Sequence, residues 1–129
     1  MLRHQVIDPL FPECPVRNVL SRIGDKWSIL ILLTLDGTVR PMRYKEIQQA
    51  IPDISQKMLS LTLQELEADG LVERHAYAEV PPRVEYTLTS RSRSLMPHIH
   101  HLVEWALDNI SGIVKDRREY QRKSPKAQR

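Results

Sequence analysis

The stretch Lys26 to Asp36 constrains this chain more than any other. It reads Lys-Trp-Ser-Ile-Leu-Ile-Leu-Leu-Thr-Leu-Asp and lies between Gly24-Asp25 and Gly37. A helix of this composition is apolar on nearly every side, and such a helix belongs at the centre of a core. Its longest unbroken apolar run, Ile29 to Leu33, is far short of the ~20 residues that span a bilayer. With 129 residues in all, the chain fits one domain built around that helix. At 41% hydrophobic and 27% charged residues it has the composition of a soluble globular protein. A lone cysteine excludes a disulfide framework and a multi-cysteine zinc site. Arg3 and His4 have no apolar stretch behind them, so no signal peptide is expected and the expected location is the cytoplasm.

The net charge of +3 hides an uneven distribution. Residues 115–129 carry seven basic and two acidic side chains, whereas residues 1–114 carry 12 basic and 14 acidic. The body is therefore slightly acidic, and nucleic-acid binding by it requires a local basic patch.

Local patterns give the order of elements. Residues 1–13, with Pro9 and Pro12, read as an irregular arm. Cys14-Pro15 starts a helix, since proline suits the first helical position, and Val16, Val19, Leu20 and Ile23 follow at helical spacing. After the central helix, residues 38–42 form a short strand or a loop. Tyr44 to Ile51 sets Tyr44, Ile47 and Ile51 on one helical face, and Pro52-Asp53 turns the chain. Ser55 is a good N-cap for a helix that ends near Asp69 before Gly70, a natural C′ residue. Leu71 to Tyr77 and Val84 to Leu88 read as strands, joined by the stiff loop Ala78-Glu79-Val80-Pro81-Pro82-Arg83. Thr89 or Ser90 caps a long final helix spanning about 90–114. Pro97 within it predicts a kink or a start after residue 93. Residues 115–129 lack apolar periodicity and are expected to be a basic, flexible tail. The order is four helices, a hairpin and a long helix. The predicted class is mainly α with a small β-hairpin wing, a winged helix-turn-helix, occupying residues 14–114.

The helix at 55–69 has two sharply different faces. At 100° per residue, with Leu59 at zero, Leu63 falls at about +40°, Leu66 at about −20° and Thr62 at about −60°. Opposite them fall Lys57, Ser60, Leu61 and Gln64. Ser, Gln and Lys are residues that reach base edges and phosphates in a major groove, where the N-terminal part of a recognition helix makes the contacts. Ser55, Gln56, Lys57, Ser60 and Gln64 are the predicted base-contacting set. Leu61 reads either as an incidental exposed leucine or as a contact for a thymine methyl. Arg43 and Lys45 are placed to hold phosphates, which positions a protein without reading sequence. Arg83 is expected at the tip of the wing. Taken alone, the helix at 55–69 also fits an ordinary solvated amphipathic helix; the wing beside it favours DNA.

The chain resembles HxlR-type transcriptional regulators, winged-helix proteins related in fold to the MarR group. The segments that carry the resemblance are Cys14-Pro-Val, Ile23-Gly-Asp-Lys-Trp27, Arg43-Tyr44, Ile51-Pro-Asp-Ile-Ser-Gln-Lys-Met-Leu59, Leu66-Glu-Ala-Asp-Gly-Leu-Val-Glu-Arg74 and Val80-Pro-Pro-Arg-Val-Glu-Tyr-Thr-Leu-Thr89. They cover roughly residues 14–107. The resemblance implies a homodimer, joined through its N- and C-terminal helices, on palindromic double-stranded operator DNA. It also implies a possible response to oxidants or electrophiles through a cysteine placed like Cys14. Asp25 replaces the second glycine of the family's usual Gly-Gly-Lys-Trp, Ser92 replaces a glycine, and Leu61 stands where a polar residue is common.

Other constellations have plainer readings beside functional ones. Cys14 at a helix N-terminus is either a reactive thiol, its thiolate favoured by the helix end, or an inert small residue. His98, His100, His101 and Glu104 suggest a metal, but zinc needs four ligands and no cysteine is near. A polar stripe beside a dimer seam suits them better, with pH sensitivity as an alternative role. Ile99, Leu102, Val103, Ala106 and Ile110 form an apolar stripe. With Trp105 as an anchor, and Val19 on the N-terminal helix, they are the expected dimer interface. There is no Gly-rich phosphate loop, properly spaced metal motif or catalytic set, so neither an enzyme nor a cofactor is expected. A regulator controlled by a small-molecule ligand, and a protein–protein module without DNA binding, are the alternatives.

Overall fold

A computed structural model describes residues 15–124. The elements are α1 (Pro15–Ile23), α2 (Lys26–Asp36), β1 (Met42–Arg43), α3 (Tyr44–Ala50), α4 (Gln56–Ala68), β2 (Val72–Tyr77), β3 (Arg83–Leu88) and α5 (Ser90–Lys123). The three strands form an antiparallel sheet in the order β1-β3-β2. Met42 pairs with Tyr86, Val72 with Leu88 and Tyr77 with Arg83. The chain divides into two compact units, with the boundary between Met96 and Pro97.

The first unit is the winged helix-turn-helix. Its core is assembled from Ile31, Leu32 and Leu35 of α2, Ile47 of α3, Ile54 in the turn before α4, Leu59, Leu63 and Leu66 of α4, and Val72, Tyr86 and Leu88 of the sheet. Each fully buried leucine or isoleucine contributes about 1.5–3 kcal/mol relative to exposure. The central helix is less enclosed than its composition predicts. Ile31, Leu32 and Leu35 are buried, but Ile29 and Leu33 are half-buried and Leu30 is exposed. Ionic and capping contacts tie the helices together. Arg22 of α1 makes two 2.8 Å hydrogen bonds to the Asp69 carboxylate at the end of α4.

Asp25 and Ser92 both act as caps. The Asp25 carboxylate accepts from the Ser28 N–H at 3.2 Å and starts α2. Asp25 has φ −62°, so no glycine is needed there. At α5, Thr89 Oγ1 accepts from the Ser92 N–H at 3.2 Å and Ser92 Oγ accepts from the Thr89 N–H at 2.9 Å. That reciprocal pair is a capping box, which satisfies two donors with no other helical partner.

The second unit is the remainder of α5. Two expectations fail here. First, the start after residue 93 does not occur: α5 starts at Ser90, with Thr89 as its cap as expected, and runs on past Pro97. The cap at Thr89 and Ser92 fixes the earlier start. Second, residues 115–123 are helical, not a flexible tail. Glu119 precedes Lys123 by four residues, the favourable order for a helical ion pair, and Arg122 and Lys123 complement the negative end of the helix dipole. Residues 125–129 and the arm at 1–13 lie outside the described residues, as does Cys14.

Candidate nucleic-acid interface

The interface is built on α4. The Ser55 hydroxyl accepts from the Met58 N–H at 3.1 Å and starts the helix. At the other end α4 stops in a Schellman turn: the Gly70 N–H bonds the Glu67 carbonyl and the Leu71 N–H bonds the Leu66 carbonyl. Gly70 has φ +73°. Burial follows the helical projection: Leu59, Thr62, Leu63 and Leu66 face inward. Gln56, Lys57, Ser60 and Gln64 are exposed, and Leu61 keeps 46% of its surface open. The outward face of the first two turns is therefore polar, with Lys57 as its one charge.

Tyr44 fixes this face against α3. Its hydroxyl donates to the Gln56 carbonyl at 3.0 Å and lies 3.1 Å from Ser60 Oγ. Arg43 and Lys45 flank Tyr44 in sequence and both are exposed. The tyrosine thereby ties the start of α3 to the first turns of α4. The Glu46 carboxylate accepts from the Arg43 N–H at 2.8 Å and secures the start of α3.

The wing differs from its sequence reading at Arg83. This residue opens β3, at the base of the 78–82 loop and not at its tip. Its guanidinium lies 4.0 Å from the centroid of the Tyr77 ring and 3.1 Å from the Glu79 carboxylate. Cross-strand pairing with Tyr77 explains the position, and the aromatic face attracts the cation. Ala78, Glu79, Val80, Pro81 and Pro82 make up the exposed loop beyond that pair.

Arg74 was missed by the sequence reading. It lines a cleft with Tyr44, Ser60, Leu63, Gln64, Glu67 and Tyr86, so it stands beside the polar face of α4. The signal was present in the pleat: Val72 and Arg74 are two apart and share one face of the strand.

The residues expected at a dimer seam fall into two groups. Val19, Leu102, Trp105, Ala106 and Ile110 are exposed, and Trp105 keeps 58% of its surface open. Val103 is half-buried. Ile99 is only 5% exposed, so it has no surface to offer a partner and drops out of the expected set. His98, His100 and His101 are exposed. Among the described residues no three metal-binding side chains come together, and no helix is long and apolar enough to cross a membrane.

Residues 22–113 match the family described as HxlR-like helix-turn-helix. The chain belongs to that family. This HxlR-like protein is 48% identical over 93 residues to an uncharacterized HTH-type transcriptional regulator of Methanothermobacter thermautotrophicus, covering 71% of this chain and 69% of the relative. It is 42% identical over 115 residues to the uncharacterized HTH-type transcriptional regulator YybR of Bacillus subtilis, covering 82% and 90%. Among solved structures it is similar to the redox regulator HypR in its oxidized form, at 42% identity and a TM-score of 0.67, covering 74% of this chain and 97% of the other. It is also similar to diamide-treated YodB of B. subtilis, at 40% identity and a TM-score of 0.63, covering 74% and 93%. The HxlR-like protein is a helix-turn-helix transcriptional regulator with a winged-helix fold.

Proposed function

We propose that this regulator binds a palindromic operator as a homodimer, with α4 of each copy in a major groove. The observation that carries the reading is the outward face of α4. It is polar over two turns, carries only Lys57 as charge, and has Arg74 beside it in the cleft that Tyr44, Ser60 and Gln64 line. Gln56, Lys57, Ser60 and Gln64 approach base edges, and Ser55 approaches the same groove at the helix start. Arg43 and Lys45 hold phosphates. Leu61 is in place to meet a thymine methyl. Binding to the DNA upstream of its own gene, followed by fluorescence anisotropy over a salt series, tests this. Lys57→Ala should weaken specific binding by about 1–3 kcal/mol if it reads a base. If the wild-type protein shows no preference for that DNA over a scrambled fragment, the protein is a module without a DNA role.

A second reading concerns the signal. HypR is a redox regulator solved in oxidized and reduced forms, and YodB has been solved diamide-treated and reduced. Their likeness to this chain supports a thiol switch at Cys14. Two Cys14 thiols, one from each copy, would lose two protons and two electrons to an oxidant such as diamide and form one disulfide. A mixed disulfide or a sulfenic acid is the alternative product of a single thiol. The oxidised dimer must bind DNA with a different affinity for this to regulate anything. Diamide should change operator affinity of the wild type and leave that of Cys14→Ser unchanged. An equal response of both proteins points to a small-molecule ligand instead of the thiol.

A further inference from the structure

The hydroxyl of Tyr44 carries one hydrogen, and that fact has a consequence for Ser60. Tyr44 Oη lies 3.0 Å from the Gln56 carbonyl oxygen, which can only accept. The tyrosine hydrogen is therefore committed to that bond. Tyr44 Oη also lies 3.1 Å from Ser60 Oγ. With its own hydrogen in use, Tyr44 can take part there only as the acceptor, so Ser60 donates its single hydrogen inward. Ser60 then faces solvent with lone pairs alone. A free serine hydroxyl rotates to donate or accept as its partner requires; this one is held as an acceptor.

In a major groove, the distinction selects bases. Adenine N6 and cytosine N4 present donors, whereas guanine O6 and N7 and thymine O4 present acceptors. Phosphate oxygens also accept only. We infer that Tyr44 is a specificity-setting positioning residue: it polarises Ser60 into an acceptor, so that Ser60 reads the exocyclic amine of an adenine or cytosine and not a phosphate. The inference rests on the proposed entry of α4 into the major groove. It concerns one base position in each half-site, and the rest of the operator is set by other residues.

The position of Tyr44 favours this role over simple packing. The side chain is half-buried, and its hydroxyl ties the start of α3 to α4 beside the exposed Ser60. The cleft that Tyr44 and Ser60 line also contains Gln64 and Arg74. A base edge brought to Gln64 therefore comes near the outward lone pairs of Ser60.

The test uses the full-length protein and a duplex it selects from a random pool. Each adenine or cytosine in the duplex is replaced in turn by an analogue lacking the exocyclic amine. For the wild type, one symmetry-related position should lose about three- to tenfold in affinity, the range of a single net hydrogen bond. Ser60→Ala should show no loss at that position. Tyr44→Phe frees the serine hydrogen, so its loss at that position should shrink relative to its losses at the other sensitive positions of the same duplex. A merely structural role for Tyr44 predicts a different result: uniform weakening on every duplex, with the position's sensitivity intact. That result overturns the inference, as does a wild type whose amine-sensitive positions are all unaffected by Ser60→Ala. Failure of the wild type to select any sequence overturns the inference together with the DNA-binding reading beneath it, which separates the two cases.

Discussion

Gly70 shows how one residue holds α4 in place. Its φ of +73° ends α4, and its carbonyl accepts from the Thr89 hydroxyl at 2.6 Å. A Cβ added there would approach Arg91 Nη1 to 2.5 Å, and Arg91 bonds the carbonyl of Asp69 at 2.9 Å. The arginine tip can swing aside, but the left-handed backbone remains. Gly70→Ala should therefore destabilise the fold by about 1–2 kcal/mol, the usual cost of that conformation for an L residue, as read by urea denaturation. Asp25 and Ser92 act at the same scale in the opposite sense. Each stands where the family commonly has glycine, and each uses a side-chain oxygen to start a helix.

At the scale of elements, α4 was legible because it has a strong period and clear ends. Leu59, Thr62, Leu63 and Leu66 repeat at helical spacing, Ser55 caps the start and Gly70 ends it. The long helix was harder. Charged residues 115–123 have no apolar period to read, and their helicity comes from propensity, charge pairing and continuity with the turns before them. Arg83 and Arg74 were misread or missed because their placement depends on strand register, which places Arg83 opposite Tyr77 and Arg74 opposite Tyr86. Nor does spacing reveal that Tyr44 reaches Ser60 sixteen residues away.

The wing gives a prediction at this scale. Arg83 is held by Glu79 across an exposed ion pair, a contact worth about 0.2–1 kcal/mol. A phosphate can compete for such an arginine. Glu79→Gln should raise operator affinity by up to about fivefold, since 1 kcal/mol corresponds to that factor. In an Arg83→Ala background the same change should have no effect. Persistence of the gain there means that Glu79 acts by repelling DNA directly and that Arg83 is not a contact.

At the scale of the whole molecule, apolar surface and charge point in one direction. The first unit exposes Val19, Leu20 and Leu30, and the second exposes Leu102, Trp105, Leu107 and Ile110. Exposed large apolar side chains on each unit are the surface that the proposed homodimer would cover. Overall charge is a poor guide by comparison. The excess lies in residues 115–129, whereas the cations on and beside the outward face of α4 are Lys57 and Arg74. In the proposed homodimer, two copies of α4 present that local set twice at a fixed spacing.

The most direct measurement is selection of random duplex DNA by the purified full-length protein, followed by sequencing of the retained fragments. The expected product is an inverted repeat whose half-sites are centred about 10–10.5 base pairs apart, one turn of the duplex, or a multiple of that. Enrichment should weaken when Lys57 or Gln64 is replaced by alanine. Recovery of fragments with no shared motif, or of a motif that the α4 substitutions leave unchanged, would contradict recognition of DNA by α4.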